Sequence, residues 1–228
     1  MTFLRWFIKL MKSEPFNIEE EKRNHQWIID ESDYIHREEV ETLTKTCNKL
    51  RRYGLKHRKF SQVRNWFMVE LGLNAGLRVA EMASLKCGNL LIDKGSSSIF
   101  VIGKGSKKRA VWINSDFKKI CQTYLKYKRD FGYGIGSEDA LLNNLRGSKI
   151  SKRALQKFFK QIIKKAGLPE RYHIHNLRHT YTTFLLKASN NNYKFAKNQL
   201  GHASIKTTQV YAGVIEIDGR KAIENIYK

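Results

Sequence analysis

The chain has 228 residues, an apolar share of 41% and only two prolines, enough for one sizeable core and against a long disordered linker. Its 43 Lys and Arg stand against 21 Asp and Glu, a net charge of +22. Such an excess points to a polyanionic partner, nucleic acid first, with a merely solvated basic surface as the alternative.

No stretch reaches the length of a membrane span. Cys47, Cys87 and Cys121 are widely spaced and odd in number, which excludes a disulfide-stapled scaffold and gives no zinc-ligand pair. They read as reduced core residues of an intracellular, cytoplasmic protein. The opening MTFLRWFIKLM is apolar, but Arg5 and Lys9 interrupt it and no small-residue cleavage site follows, so it is not expected to act as a signal peptide. Residues 1 to about 33 also hold the acidic run Glu19-Glu20-Glu21 and read as a small helical appendage or a partly ordered tail.

From His36 the pattern is helical. Val40, Leu43, Cys47 and Leu50 recur at three- and four-residue intervals, as the buried stripe of a helix does. Gly54, inside the basic segment Arg51 to Lys59, is the expected stop. A second helix is expected from about Ser61, with Val63, Phe67 and Leu71 inward, leading to Gly76-Leu77-Arg78-Val79-Ala80-Glu81, where a third short helix begins.

Three β-prone runs follow: Leu90 to Ile92, Ser98 to Ile102 and Ala110 to Ile113. Turns at Asp93-Lys94-Gly95 and at Gly103 to Lys108 make them a three-stranded antiparallel sheet, the second turn carrying Lys104, Lys107, Lys108 and Arg109. A helix capped by Ser115 should run to about Arg129 and end at the glycine-rich segment 132–136. That segment lacks the strand-to-helix setting of a nucleotide-binding loop and reads as a flexible connection.

The next helix, Ser151 to Ala166, buries Leu155, Phe158, Phe159, Ile162 and Ala166 and is closed by Gly167 and Pro169. Arg153, Lys157, Lys160 and Lys164 form a basic stripe on another face, with almost no acids to balance it. The stripe suits a DNA-facing helix better than a solvated one. Three further helices are expected, starting near His175, spanning Tyr193 to Gln199, and starting near Ser204, before a last amphipathic piece from Arg220 to Tyr227. The fold class is mainly α with a small three-stranded antiparallel sheet.

The chemistry concentrates between His173 and Tyr211. His175 and Arg178 lie three apart and share a helix face. A Leu200-Gly201-His202 corner leads through a Thr-rich stretch to Tyr211. If the ligand is a DNA phosphodiester, a tyrosine can attack phosphorus and divide one hard displacement into two reversible ones. With a reference pKa of about 10 it needs a proton acceptor. Arginines suit the phosphorane oxygens because their fork stays charged and planar, and lysine or histidine can protonate the departing sugar oxygen. Each residue alone has a plainer reading. Arg78 could only pair with Glu81, Lys104 could be an ordinary turn lysine, and His175 a helix cap. His202 could pack in a core, and Tyr211 could be a half-buried aromatic. Their joint occurrence in this order is what favours a site.

Four ordered motifs carry a resemblance: Gly76-Leu77-Arg78-Val79-Ala80-Glu81; Gly103-Lys104-Gly105 to Arg109; His175-Asn176-Leu177-Arg178-His179-Thr180; and Leu200-Gly201-His202 through Thr207-Thr208 to Tyr211, with His202 nine positions before Tyr211. Over about His36 to Tyr211 the chain resembles the catalytic domain of a tyrosine recombinase, the phage integrase family. The resemblance implies the catalytic-domain fold of DNA breaking-rejoining enzymes. It implies that Arg78 and Arg178 clamp the scissile phosphate, that Lys104 protonates the leaving 5′ oxygen, and that His175 helps to activate the tyrosine. His202 becomes a phosphate donor, Tyr211 the nucleophile of a 3′-phosphotyrosine, Glu81 the acid that orients the first arginine, and His179 a supporting residue. Lys107, Arg109, Arg153, Lys157, Lys160 and Lys164 are the expected DNA contacts.

The resemblance also implies no metal and no high-energy cofactor, double-stranded DNA as partner, self-assembly from dimer to tetramer on that DNA, and no membrane. Residues 36–228 are the expected catalytic domain, with a C-terminal tail at 212–228. Residues 1–35 are expected to be a segment too short for the helical domain that closes such enzymes around DNA. Two departures stand out: Asn176 where the family often has aspartate, and Asn190 to Asn192 in place of a glycine turn. Asparagine tolerates the left-handed conformation, so the turn is expected to form. A non-catalytic DNA-binding module and a relaxing enzyme with type IB topoisomerase chemistry remain open readings of the sequence.

Overall fold

The helix Phe60–Ala75 (α2) is the post against which the others pack in the computed structural model, which describes residues 31–92, 97–103 and 108–201. Twelve of its residues are buried, including Val63, Trp66, Phe67, Met68 and Leu71. A helix buried on nearly every side, with polar Arg64, Asn65 and Glu70 among the enclosed residues, has to be covered on every side. It is covered by α1 (Arg37–Lys56), α4 (Ser115–Asp130), α5 (Lys152–Ala166) and α6 (Ile174–Ala188). The closest approach is at Gly72, where a Cβ would lie 2.5 Å from Leu177 Cδ1 of α6.

The stop expected at Gly54 does not occur: α1 continues to Lys56 with Gly54 buried inside it. A Cβ there would sit 2.8 Å from Lys59 O and from Gln62 Cβ. The glycine admits the returning chain at the start of α2; it does not end α1. α2 itself ends at Gly76, in the left-handed region at φ 58°. Short α3 (Val79–Ser84) follows, with Arg78 at its N-cap and Glu81 reaching back to the Arg78 amide at 2.8 Å.

The sheet is antiparallel in the order β1-β2-β3, from Leu90–Leu91, Ser98–Ile102 and Lys108–Trp112. Its inner face buries the Ile99–Val111 pair, while Ile102 and Trp112 stay exposed on the other. The cap of α4 is Asn114 rather than Ser115, its side chain accepting from Phe117 N at 2.8 Å. The glycine-rich segment after α4 is not a loose connection. The buried Lys128 ammonium donates to Gly134 O, Gly136 N donates to Asp139 Oδ2 at 2.7 Å, and Tyr124 Oη donates to Leu141 O at 2.9 Å. A lysine and an aspartate spend their polar groups on the loop's backbone and pin it.

α5 starts at Ser151, whose Oγ accepts from Ala154 N at 3.1 Å, and closes at left-handed Gly167. Between α6 and α7 (Tyr193–Leu200), Asn190 and Asn191 adopt φ of 49° and 60°, and Asn192 caps α7 by accepting from Phe195 N at 2.9 Å. The asparagine turn therefore forms as expected. Asn176, at the start of α6, accepts from His173 N at 2.5 Å and donates to Asp33 O at 2.6 Å. The three cysteines are free and buried. No helix among the described residues is long and apolar enough to cross a membrane. Residues 1–30, the two hairpin turns at 93–96 and 104–107, the helix expected near Ser204 and the tail beyond it lie outside the described residues.

Gly76 and Gly132 separate backbone strain from steric conflict. Both have positive φ, but a Cβ at Gly76 would run into the Tyr181 ring while one at Gly132 meets nothing within 4 Å. Gly132→Ala should cost about 1 kcal/mol for the left-handed conformation alone. Gly76→Ala should cost a further ~1–3 kcal/mol for overpacking. Urea unfolding measures the difference, and equal losses for the two variants would contradict the packing described at Gly76.

Candidate active site

Glu81 is 4% exposed and sits on the first turn of α3. A carboxylate this deep is costly unless cations and donors surround it. Arg109, on β3, supplies both ends of its fork, Nη1 to Oε1 at 2.8 Å and Nη2 to Oε2 at 3.0 Å. Arg78 supplies its backbone amide to Oε2 and, at 3.2 Å, its Nη1 to Oε1. Arg178, from α6, places Nη1 3.9 Å from Oε2. Burial pushes the Glu81 pKa up, but the hydrogen bonds and charge of Arg109, the Arg78 amide and the charge of Arg178 outweigh it. The net displacement is below the ordinary carboxylate value. Three guanidinium groups around one carboxylate leave an excess of two positive charges, which suits an anionic ligand.

The two arginines expected at the phosphate differ in setting. The Arg78 side chain is 38% exposed and opens to solvent. Arg178 is 2% exposed. It donates through Nη1 to Gly76 O at 2.7 Å and through Nη2 to Leu200 O at 2.9 Å. Those carbonyls belong to the C-terminal ends of α2 and α7, where a cation is favoured by the helix dipoles. One side chain thus joins the Gly76 corner to the Leu200-Gly201 corner.

His175 lies one turn before Arg178, exposed at the surface. Burial of part of its ring, then the charges of Arg178 and Arg78, hold its pKa below 6.5. His179 packs edge-on to it, ring centroids 4.6 Å apart. Its own pKa is pushed down to about 3 by burial first, then by His175 and Arg178. Both rings are neutral at pH 7, and a neutral imidazole can accept a proton.

Gln199 is a member of the site that the sequence reading missed. It is 3% exposed, and its side-chain amide pairs with the backbone of Trp112 as a strand would. Nε2 donates to Trp112 O at 2.6 Å and Oε1 accepts from Trp112 N at 3.1 Å. Nε2 also reaches Tyr181 Oη at 2.9 Å. The splice fastens α7, and hence the Leu200-Gly201 corner, to the edge strand β3. Ala196, Gln199 and Leu200 share one buried face of α7, so an amide at an apolar-face position was the available signal.

The structure therefore brings Arg78, Glu81, His175, Arg178 and His179 together, with Arg109 turned inward among them. Lys104, Lys107, His202 and Tyr211 lie outside the described residues. Arg153, Lys157 and Lys164 are exposed on α5, whereas Lys160 is half-buried and donates to Glu170 O.

The sequence profile of the Phage integrase family matches residues 33–216. Tyrosine recombinase XerC of Caldanaerobacter subterraneus subsp. tengcongensis is 32% identical over 161 residues, 70% of this chain and 44% of the relative. XerC of Haemophilus ducreyi is 36% identical over 152 residues, 66% of this chain and 48% of the relative. The chain spans about half the length of these curated relatives. Among solved structures, the XerH site-specific recombinase bound to its difH substrate in a pre-cleavage complex superposes with a TM-score of 0.65 at 25% identity, covering 79% of this chain and 50% of that one. The lambda integrase catalytic core shares the fold, with a TM-score of 0.55 at 18% identity over 74% of this chain and 91% of that one. Matched by sequence over residues 33–216 and by architecture to solved recombinases, the chain belongs to the phage integrase family of tyrosine recombinases.

Proposed function

We propose that this chain cuts and rejoins double-stranded DNA as a site-specific recombinase, through a covalent 3′-phosphotyrosine at Tyr211. The observation that carries the reading is the gathering of Arg78 and Arg178 around Glu81 from segments about a hundred residues apart, with an excess of positive charge, and His175 close enough for both arginines to disfavour its protonation. The names of the curated relatives and the DNA-bound XerH complex support it.

In the proposed step the Tyr211 oxygen attacks the scissile phosphorus. A tyrosine O–P bond forms, the bond from phosphorus to the 5′ oxygen breaks, and the phenolic proton passes to His175. Lys104 gives the departing 5′ oxygen its proton. Arg78 and Arg178 hold the non-bridging oxygens as charge grows on them, and His202 adds a further donor. The phosphodiester is exchanged for a phosphotyrosine of similar energy. A second 5′ hydroxyl can therefore reverse the step, and no high-energy cofactor enters. Exchange between two duplexes needs several such cuts held together, so protomers assemble on DNA as dimers and tetramers. Arg153, Lys157 and Lys164, exposed on α5, supply phosphate contacts to the bound duplex in this reading.

Three results test this. Incubated with a nicked suicide duplex, the natural protein should form a covalent adduct and Tyr211→Phe none; the same adduct from both would sink the proposal. Arg78→Ala should slow single-turnover cleavage by about 10²–10³-fold, the scale for losing one charge-stabilising donor, with little change in melting temperature because the side chain is partly exposed. An unchanged rate would remove Arg78 from the phosphate. The cleavage rate should also hold as pH falls from about 8 toward neutrality, since burial and the two arginines disfavour protonation of His175, and should decline only at a pH lower than that of an ordinary imidazole as the ring takes up a proton. In His175→Gln that low-pH decline should vanish along with most of the rate. A natural protein already at half rate near pH 7.5 would assign the proton acceptor elsewhere.

A further inference from the structure

Arg109 lies on β3 next to exposed Lys108 and Ala110, yet its own side chain is only 12% exposed. Strand alternation puts it on the same face as buried Val111, and a cation turned inward needs an anion to meet it. It meets Glu81 with both ends of its fork, at 2.8 and 3.0 Å, while its Nε donates to Gln199 O at 3.3 Å. Gly201 completes the fit: a Cβ there would fall 2.8 Å from Arg109 Cδ and 2.9 Å from Nη1, so only glycine lets the side chain pass. One guanidinium thus touches the carboxylate shared with Arg78, the end of α7, and the corner that leads to His202.

We infer that Arg109 is a positioning residue for the proposed cleavage step: it fixes the Glu81 carboxylate against Arg78 and Arg178 and locks the β2–β3 hairpin to the Gly201 corner. The inference rests on the recombinase reading. Arg109 sits among basic neighbours in sequence, but both terminal nitrogens donate to Glu81 and the side chain is 12% exposed, which leaves little of the fork open to a DNA phosphate. Its action on the reacting phosphate is indirect. Arg78 shares the Glu81 carboxylate with it, and Gly201, against which its side chain packs, precedes His202 in the sequence.

The test compares the natural protein with Arg109→Gln, Arg109→Lys, Glu81→Gln and the Glu81→Gln/Arg109→Gln pair. It measures single-turnover cleavage of the suicide duplex at saturating protein, DNA affinity, and melting temperature. Arg109→Gln should keep DNA affinity within about twofold while cleavage slows by about 10–100-fold, the scale of a misplaced reacting group. Without its bidentate partner the buried Glu81 protonates more readily, so the defect should be larger near pH 6 than near pH 8. A residue with a purely structural role would lower the melting temperature and leave the pH profile of cleavage in place. Arg109→Lys, which keeps the charge and loses the fork, should recover part of the rate, and it carries the comparison if Arg109→Gln fails to fold. In the Glu81→Gln background, Arg109→Gln should cost no more than about twofold further. A loss of affinity and of salt dependence with an unchanged saturated rate would make Arg109 a phosphate contact and overturn the inference alone. So would a rate within twofold of the natural protein at every pH. No adduct from the natural protein would overturn the recombinase reading and this inference together.

Discussion

A carboxylate withdrawn from water has to be met by cations, and segments about a hundred residues apart meet around that requirement at Glu81. Arg78 comes from the same short helix, Arg109 from the sheet and Arg178 from a helix about a hundred residues further on. Buried charge of this kind adds little net stability compared with an apolar replacement, but removing a partner that is itself withdrawn from water, Arg109 or Arg178, is severe. Its value lies in placement. The acid fixes where the guanidinium groups stand with no ligand bound.

Arg178 extends the same logic from charge to backbone. Buried carbonyls at the ends of α2 and α7 need donors as much as Glu81 needs cations, and one guanidinium serves both corners. The rest of the packing makes this junction possible. α2 is buried almost all round, Gly72 lets α6 come close to it, and Gly76 turns the chain sharply enough to deliver Arg78 at the next helix cap. Gln199 then closes the ring by splicing α7 onto the edge of the sheet, so that β3 and the Leu200-Gly201 corner are joined directly.

Much of this was legible in the residues. The periodic stripe of α1, the three β-prone runs, the start of a short helix within residues 76–81 and the left-handed asparagines follow from local rules of period, propensity and turn chemistry. The gathering of Arg78, His175 and Arg178 followed from ordered motifs rather than from any local rule. What escaped the reading depends on contacts distant in sequence. Gly54 looks like a helix stop because glycine usually is one; only the returning chain at Lys59 and Gln62 explains why the helix runs on through it. The glycine-rich stretch after α4 looks loose until Lys128 and Asp139 are seen bonded to its backbone. Arg109 sits in a run of basic residues and reads as one more DNA contact. Strand alternation, which turns it inward, could have marked it as different. Gln199 carried a similar signal, an amide on the apolar face of a short helix.

Asn176 shows how a departure from a family pattern can change the kind of bond and not merely weaken it. An aspartate at that position could accept the amide proton of His173, as Asn176 does, but would turn a lone pair toward the carbonyl of Asp33. The amide instead offers a hydrogen to that carbonyl. The segment entering α1 is thereby sewn to the first turn of the helix bearing His175 and Arg178, with a second stitch from Ile35 N to Thr180 Oγ1 at 2.8 Å. Neither stitch carries a formal charge. High ionic strength and acid, which weaken ion pairs and neutralise carboxylates, therefore do not act directly on these two bonds, unlike the neighbouring bond from Tyr172 Oη to the Glu39 carboxylate.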